Sequence, residues 1–233
     1  MNEAIILAGG FGTRLKEHVP NIPKPMAPIN GRPFLDILLS NLSSYGITKV
    51  ILSVGYLADY IQDYFGNKKY DIDISYNIES SPLGTGGAIF SCLHQCKNDH
   101  VFVLNGDTFI NVNFSSLEKF WNKYKSPIIV TRKAASNSRY GLIKVDKNII
   151  KEFNSSAHSH QKCLINAGLY VLPRNLVHPF SKKKPFSFES EYLPSAINLT
   201  KFISYEIDSY FIDIGIPEDY QKAQTELESN LND

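Results

Sequence analysis

At 233 residues, 43% of them hydrophobic, the chain is long enough to bury the core of one α/β domain. Its 24 basic and 23 acidic side chains leave a net charge of +1, which excludes the broad positive field of a nucleic-acid or anionic-membrane binder. No apolar run approaches the roughly 18 residues of a membrane span.

Residues 4–7 form a short apolar run that stops at glycine, the pattern of a buried strand cut off by a turn. Gly9, Gly10 and Gly12 let the backbone behind it turn tightly and approach a ligand, and successive amides in such a turn make an anion nest. Arg14 adds a fork of donors suited to phosphate oxygens. Lys24, between Pro23 and Pro25, adds a point charge on a stiff segment. Together these point to a polyphosphate. The stretch is not a Walker loop, because it lacks Gly-x-x-x-x-Gly-Lys-Ser/Thr. It is not a dinucleotide fingerprint either, because the glycine required five residues after Gly10 is Leu15.

Leu35, Leu38, Leu39 and Leu42 recur at helical spacing within 33–45, and Gly46 stands where a C-terminal cap belongs. Residues 49–54 read as a buried strand, 58–65 as a helix closed by Gly66, 72–76 as a strand, 86–96 as a helix and 101–104 as a strand. This alternation predicts a single Rossmann-like α/β domain: a mixed, mainly parallel sheet with helices on both faces. Ligands of such sheets collect beyond the carboxyl ends of the strands. Both the Gly9 loop and Asp107 fall there.

Ser115-x-x-Glu118 has capping-box form ahead of Leu117, Phe120, Trp121 and Tyr124, which share a helical face and place the tryptophan in a core or interface. Strands follow at 127–132 and 142–145, and a Lys147-Asn148 turn leads to another at 149–153. The polar, serine-rich 154–162 reads as a loop tip, and 169–172 and 202–207 as strands. Pro217, with Glu218 and Asp219 behind it, opens a last helix that runs to about 228 before a fraying tail. Cys92 and Cys96, one helical turn apart, read as core. With Cys163 they form an odd trio of reduced thiols. Met1-Asn2-Glu3 offers no basic leader, so the expectation is a cytoplasmic protein. The pair His158 and His160 and the run Lys182-Lys183-Lys184 read as solvated surface.

Leu7-Ala8-Gly9-Gly10-Phe11-Gly12-Thr13-Arg14-Leu15 followed by Pro23-Lys24-Pro25-Met26 resembles the signature of the sugar-1-phosphate nucleotidylyltransferases. Leu83-Gly84-Thr85-Gly86-Gly87-Ala88, Asn105-Gly106-Asp107, Asn166-Ala167-Gly168 and Asp213-Ile214-Gly215-Ile216-Pro217 resemble the family's later blocks, in its order. Met26-Ala27-Pro28-Ile29 and Phe186-Ser187-Phe188-Glu189 are most similar to the branch acting on D-glycero-α-D-manno-heptose 1-phosphate with GTP. The resemblance implies a nucleotide-binding part over about 1–110, a sugar-phosphate part over about 111–215 and a terminal helix over about 217–229. It leaves room for a homodimer and points to capsule or surface-polysaccharide synthesis.

The implied reaction joins an NTP, with GTP favoured, to a sugar 1-phosphate and releases pyrophosphate. Attacker and electrophile are both anionic, so catalysis is mainly positioning and charge neutralisation. Asp107 and Asp213 would hold Mg²⁺, which takes hard oxygen ligands; the resemblance, not the spacing, brings the two together. By the same resemblance Leu7, Ala8, Gly9, Gly10, Leu83, Gly84 and Thr85 would hold base and ribose. Gly10, Gly12, Thr13 and Arg14 would cradle the outer phosphates, and Lys24 would neutralise the α-phosphate. Gly106, Tyr140, Gly141, Asn166, Gly168 and Glu189 would line the sugar pocket, with Tyr56 as an outlying neighbour or a core residue. One departure stands out: where the family usually carries a Glu-Lys pair that grips the sugar phosphate, this chain has Ser155-Ser156. Lys162 and Lys144 are the candidate substitutes. The departure also keeps open a non-catalytic module that binds nucleotide sugars. Mannose 1-phosphate, CTP and UTP are the neighbouring substrate readings. A glycosyltransferase is the less favoured reading, because the Asp-x-Asp metal sequence it usually carries is not expected in this chain.

Overall fold

The computed structural model describes residues 2–10, 12, 15, 19–133, 142–155, 164–177 and 185–231, without the side chains of 154 and 155. The calls on Thr13, Arg14, Tyr140, Gly141, Ser156, His158, His160, Lys162, Cys163 and Lys182 to Lys184 lie outside them.

The chain opens with β1 (Asn2–Leu7), a 3₁₀ turn at Lys24–Met26, and the short hairpin of β2 (Pro28–Ile29) and β3 (Arg32–Pro33). Then come α1 (Phe34–Ser44), β4 (Ile47–Val54), α2 (Ala58–Phe65), β5 (Lys68–Lys69), β6 (Ile72–Ile78), α3 (Gly84–Leu93), β7 (His100–Asn105) and β8 (Thr108–Ile110). The second part comprises α4 (Phe114–Tyr124), β9 (Ile128–Lys133), β10 (Leu142–Asp146), β11 (Ile149–Ser155), β12 (Leu164–Pro173), α5 (Leu193–Ala196), β13 (Ile203–Ile207), β14 (Phe211–Asp213) and α6 (Pro217–Glu226).

A ten-stranded sheet runs in the order β10-β11-β13-β9-β12-β7-β1-β4-β6-β5. The parallel pairing expected from the sequence is concentrated where β7, β1, β4 and β6 lie side by side. Beyond β7 the sheet is chiefly antiparallel: β12 runs against both β7 and β9, and β9 and β13 alone are parallel. Alternation along the strands feeds two cores. Ala4 and Ile6 of β1 face one core, with α1, α2, α4 and α6, while Ile5 faces the other, with α3 and α5. Burial on both faces explains why these strands read as unbroken apolar runs.

Three local readings need correction. Helix α4 is capped by Asn113, whose side chain accepts the Ser116 amide at 2.8 Å, and not by a Ser115–Glu118 box. Glu118 instead accepts from His100 Nε2 at 2.8 Å, a tertiary partner that outcompetes the local cap. Helix α3 begins at Gly84 rather than 86 and ends at Leu93. The carboxy-terminal segment does not fray directly after α6: Leu227 is buried, and the Asn230 carbonyl accepts from Asn111 Nδ2 at 3.3 Å. Trp121 is buried and stacks on His100 with ring centroids 4.8 Å apart, so the core reading of the tryptophan stands. Cys92 and Cys96 are likewise buried and unpaired. Among the described residues no helix is long and apolar enough to cross a membrane.

Candidate active site

A cavity of about 340 Å³ opens beyond the carboxyl ends of β1 and β7, lined among others by Leu7, Gly9, Gly10, Glu79, Thr85 and Asp107. This is where ligands collect in an open α/β sheet. Two backbone bonds fix its floor: the Ala8 amide donates to the Ser53 carbonyl at 2.8 Å, and the Gly106 amide donates to the Leu7 carbonyl at 3.0 Å. Gly10 stands on the wall, and no described atom lies within 4 Å of where its Cβ would be.

Gly12 has φ +59°, and a Cβ on it would sit 2.7 Å from the Lys24 Cβ. The loop therefore packs flat on the lysine only because it carries glycine. Lys24, on its 3₁₀ turn, donates from Nζ to Asp107 Oδ2. Its side chain is 10% exposed against 33% for Asp107, so the pair sits at the cavity's edge rather than in bulk solvent. Thr108 Oγ1 donates to the other Asp107 oxygen at 3.2 Å.

Residues 107 and 213 meet through a two-stranded ladder. Thr108 on β8 pairs with Asp213 on β14, and the Ile214 amide donates to the Asp107 carbonyl at 2.9 Å. Asp213 Oδ1 accepts the Gly215 amide at 2.7 Å. A Cβ on Gly215 would lie 2.6 Å from Asp213 Oδ1 and 2.8 Å from Lys24 Nζ, so ammonium and carboxylate converge above that glycine. Two carboxylates at one end of this ladder, Asp107 just before β8 and Asp213 on β14, fit a hard divalent cation, which typically takes one or two of them and leaves its other positions to phosphates and water. Among the described residues no cluster of three or more His, Cys, Asp or Glu forms.

On the opposite wall α3 starts at Gly84, with φ +70°, where a side chain would collide with the Phe186 backbone. The Phe186 amide donates to the Leu83 carbonyl at 3.1 Å, and the Gly86 amide to the Phe186 carbonyl at 3.0 Å. These bonds lock 186–189 against the helix start. Thr85 Oγ1 accepts the Phe188 amide at 2.8 Å and donates to Glu189 Oε2 at 2.7 Å. Glu189 Oε1 accepts from the Tyr170 hydroxyl at 3.2 Å, which in turn accepts Asn166 Nδ2 at 2.5 Å. Asn166 Oδ1 takes the Gly168 amide at 3.0 Å. Complete burial pushes the Tyr170 phenol well above its usual range, reinforced by the nearby Glu189 charge. Thr85, expected on the nucleotide side, and Asn166, Gly168 and Glu189, expected on the sugar side, thus form one connected network.

Lys144, one candidate substitute for the missing lysine, pairs with Glu152 at 3.0 Å on an exposed face. Ser155 ends β11 opposite Leu142. Tyr56 is half-buried and lines a small hollow beside Gly12 and Lys24. An Asp-x-Asp sequence does occur, at Asp71-Ile72-Asp73. It opens β6, seven residues upstream of the end facing the cavity, roughly 20 Å along an extended strand.

Among the cavity residues that the sequence reading left without a role are Asn105 and Glu79. Asn105 lines the cavity, and its Oδ1 is buried without a partner among the described residues; its place one residue before Gly106-Asp107 was the available signal. Glu79 lines the cavity too, its Oε1 accepting from Ser53 Oγ at 3.1 Å and its Oε2 from the Leu83 amide at 3.0 Å. An acid in a Glu-Ser-Ser-Pro run carries no signal beyond that of a solvated loop.

The family model described as nucleotidyl transferase matches residues 3–230. The D-glycero-alpha-D-manno-heptose 1-phosphate guanylyltransferase of Aneurinibacillus thermoaerophilus is 39% identical over 97% of this chain and 98% of its own length. The protein of the same name from Campylobacter jejuni is 43% identical over 94% and 96%. HddC from Yersinia pseudotuberculosis superposes with a TM-score of 0.84 at 36% identity, covering 97% of this chain and 100% of its own. A second HddC structure, complexed with GMP-PN, superposes with a TM-score of 0.82. The chain belongs to the nucleotidyl transferase family.

Proposed function

We propose that this chain transfers a guanylyl group from GTP to a heptose 1-phosphate, giving a GDP-heptose and pyrophosphate. The observation that carries it is the convergence of Lys24, Asp107 and Asp213 at the edge of a glycine-walled cavity. Full-length similarity to two heptose 1-phosphate guanylyltransferases supports the substrate class. The nucleotide lies on the 1–110 side and the sugar phosphate on the 111–215 side. Buried, unpaired Cys92 and Cys96 support a cytoplasmic setting.

A sugar-phosphate oxygen attacks the α-phosphorus in line, and pyrophosphate leaves. The amides of the Gly9 loop hold the outer phosphates, with Arg14. Lys24 exchanges Asp107 for the α-phosphate oxygens as negative charge builds there. Asp107 and Asp213 would hold Mg²⁺, which supplies charge neutralisation and alignment of the phosphates when bound. The Asn166–Tyr170–Glu189–Thr85 network orients the sugar beside the nucleotide.

Glu79 supports guanine as the base. A carboxylate is an acceptor only. On its pairing edge guanine offers two adjacent donors, N1–H and N2–H; uracil, cytosine and adenine each set an acceptor beside their single donor.

Pyrophosphate release measured across GTP, CTP and UTP, each with heptose 1-phosphate and mannose 1-phosphate, tests the proposal. The expected result is fastest release with GTP and the heptose. Tight GDP-heptose binding with no release from any pair would replace it with a nucleotide-sugar-binding module, the reading to which Ser155-Ser156 lends weight.

A further inference from the structure

Behind Glu79 a chain of side-chain hydrogen bonds crosses the sheet, and every link donates in the same direction. Ser91 Oγ and Gln95 Nε2, on and just after α3, donate to Asn77 Oδ1 at 2.8 and 2.9 Å. Asn77 Nδ2 donates to Ser53 Oγ at 3.2 Å, and Ser53 Oγ donates to Glu79 Oε1 at 3.1 Å. Two donors on Asn77 Oδ1 fix which way its amide points. The amide N–H then occupies a Ser53 lone pair and directs the hydroxyl proton to Glu79. Ser53 is fully buried, so water does not compete for that hydroxyl, and aligned bonds of this kind polarise and strengthen one another. Cys92 also borders Ser53, but burial pushes its thiol up to about 12, so it is no thiolate that would capture the Ser53 proton at neutral pH.

With Ser53 on Oε1 and the Leu83 amide on Oε2, each Glu79 oxygen has one inner donor and keeps acceptor capacity for the cavity. A carboxylate held this way presents two acceptors in a fixed plane, which a base that offers one donor and one acceptor cannot match. We propose that Ser53 and Asn77 are positioning residues for base selection, holding Glu79 as a rigid double acceptor for a purine with two adjacent donors. None of the links is a residue assigned to the phosphates or the sugar.

This inference rests on the guanine reading above. Its test compares kcat/KM for GTP and for inosine triphosphate, which keeps N1–H but lacks the 2-amino group, in the wild type, Ser53→Ala, Asn77→Ala and Asn77→Asp. Asn77→Asp preserves shape but removes the donor to Ser53. The wild type is expected to favour GTP, and each variant to narrow that preference roughly three- to tenfold, the size of one lost hydrogen bond, with KM for the sugar 1-phosphate unchanged. A preference kept whole in Asn77→Asp overturns the inference, as does a loss of activity equal for both nucleotides. If Ser53→Ala does not fold, the two Asn77 variants decide the matter. A wild type that turns over neither nucleotide defeats the functional reading itself. A wild type indifferent between them defeats this inference and the role of Glu79 together.

Discussion

At the amino-terminal end of β1, the Glu3 side chain is 2% exposed; it accepts the Lys97 and Asn98 amides at 2.7 and 2.8 Å on one oxygen and Lys49 Nζ at 3.0 Å on the other. Beside it, at the start of β7, His100 sits between Asp99 and Glu118. At the carboxyl-terminal end of the same two strands, Asp107 is 33% exposed and among the described residues receives Lys24 and a threonine hydroxyl, with a second aspartate close by on β14. The residue types match, and the degree of saturation does not. Where both oxygens of a buried carboxylate are taken up by backbone and lysine donors, the group serves to hold the fold together. Where like charges are gathered around one lysine at a cavity mouth, our proposal is that a ligand completes the arrangement.

The largest break in that comparison comes from removing divalent cations. Chelation should abolish pyrophosphate release while leaving the unfolding midpoint in place; turnover indifferent to chelator would remove Asp107 and Asp213 as metal ligands. Lys24→Ala should come next, lowering kcat/KM by roughly 10²-fold or more, the scale of one preorganised charge donor. Asp107→Asn should act similarly, and an unchanged rate in a folded Lys24 variant would end its assigned role.

At the other end of the strands the balance reverses. Glu3→Gln should cost about 1–3 kcal/mol of stability with kcat/KM nearly unchanged. Burial alone would raise the Glu3 pKa, but the Asn98 amide, Lys49 and the Lys97 amide outweigh it and hold it below the ordinary 4.5. Its stabilisation is therefore whole above the ordinary value and fades as pH falls through the lower folded one. Urea midpoints of wild type and variant should be far apart at pH 7 and converge in acid; a gap that persists at low pH would refute this account. Asp99→Asn sets the lower limit. His100 holds the Asp99 carboxyl below its usual range, but at 66% exposure the substitution should move stability by no more than about 0.5 kcal/mol. A larger shift in the thermal midpoint would mean that His100 depends on it.

The proposed nucleotide half of the site was readable because its signals are local. Apolar runs that stop at glycine gave β1 and β7, and Lys24 between prolines declared itself. Arrangements made by tertiary pairing were not readable from local pattern, and the meeting of Asp107 with Asp213 was expected through the family resemblance alone. The ladder of β8 with β14 is three residues long on each side, too short for periodicity to register, yet it alone sets Asp107 beside Asp213. Glu79 and Ser53 were invisible for a related reason: a lone serine in Ile-Leu-Ser-Val and an acid before Ser-Ser-Pro take their meaning from each other, across the β4 and β6 ends. The Ser115–Glu118 box failed because Glu118 had a better partner in His100, which no local pattern encodes.

That three-residue ladder also sets a timetable for the nascent chain. Folding on the ribosome proceeds from the amino terminus, so the glycine loop, Lys24 and Asp107 emerge long before the strand carrying Asp213 can dock. Until it does, the emerging chain holds Lys24 and Asp107 without Asp213, and the charge arrangement at the cavity edge stays unfinished until β14 (Phe211–Asp213) has been made.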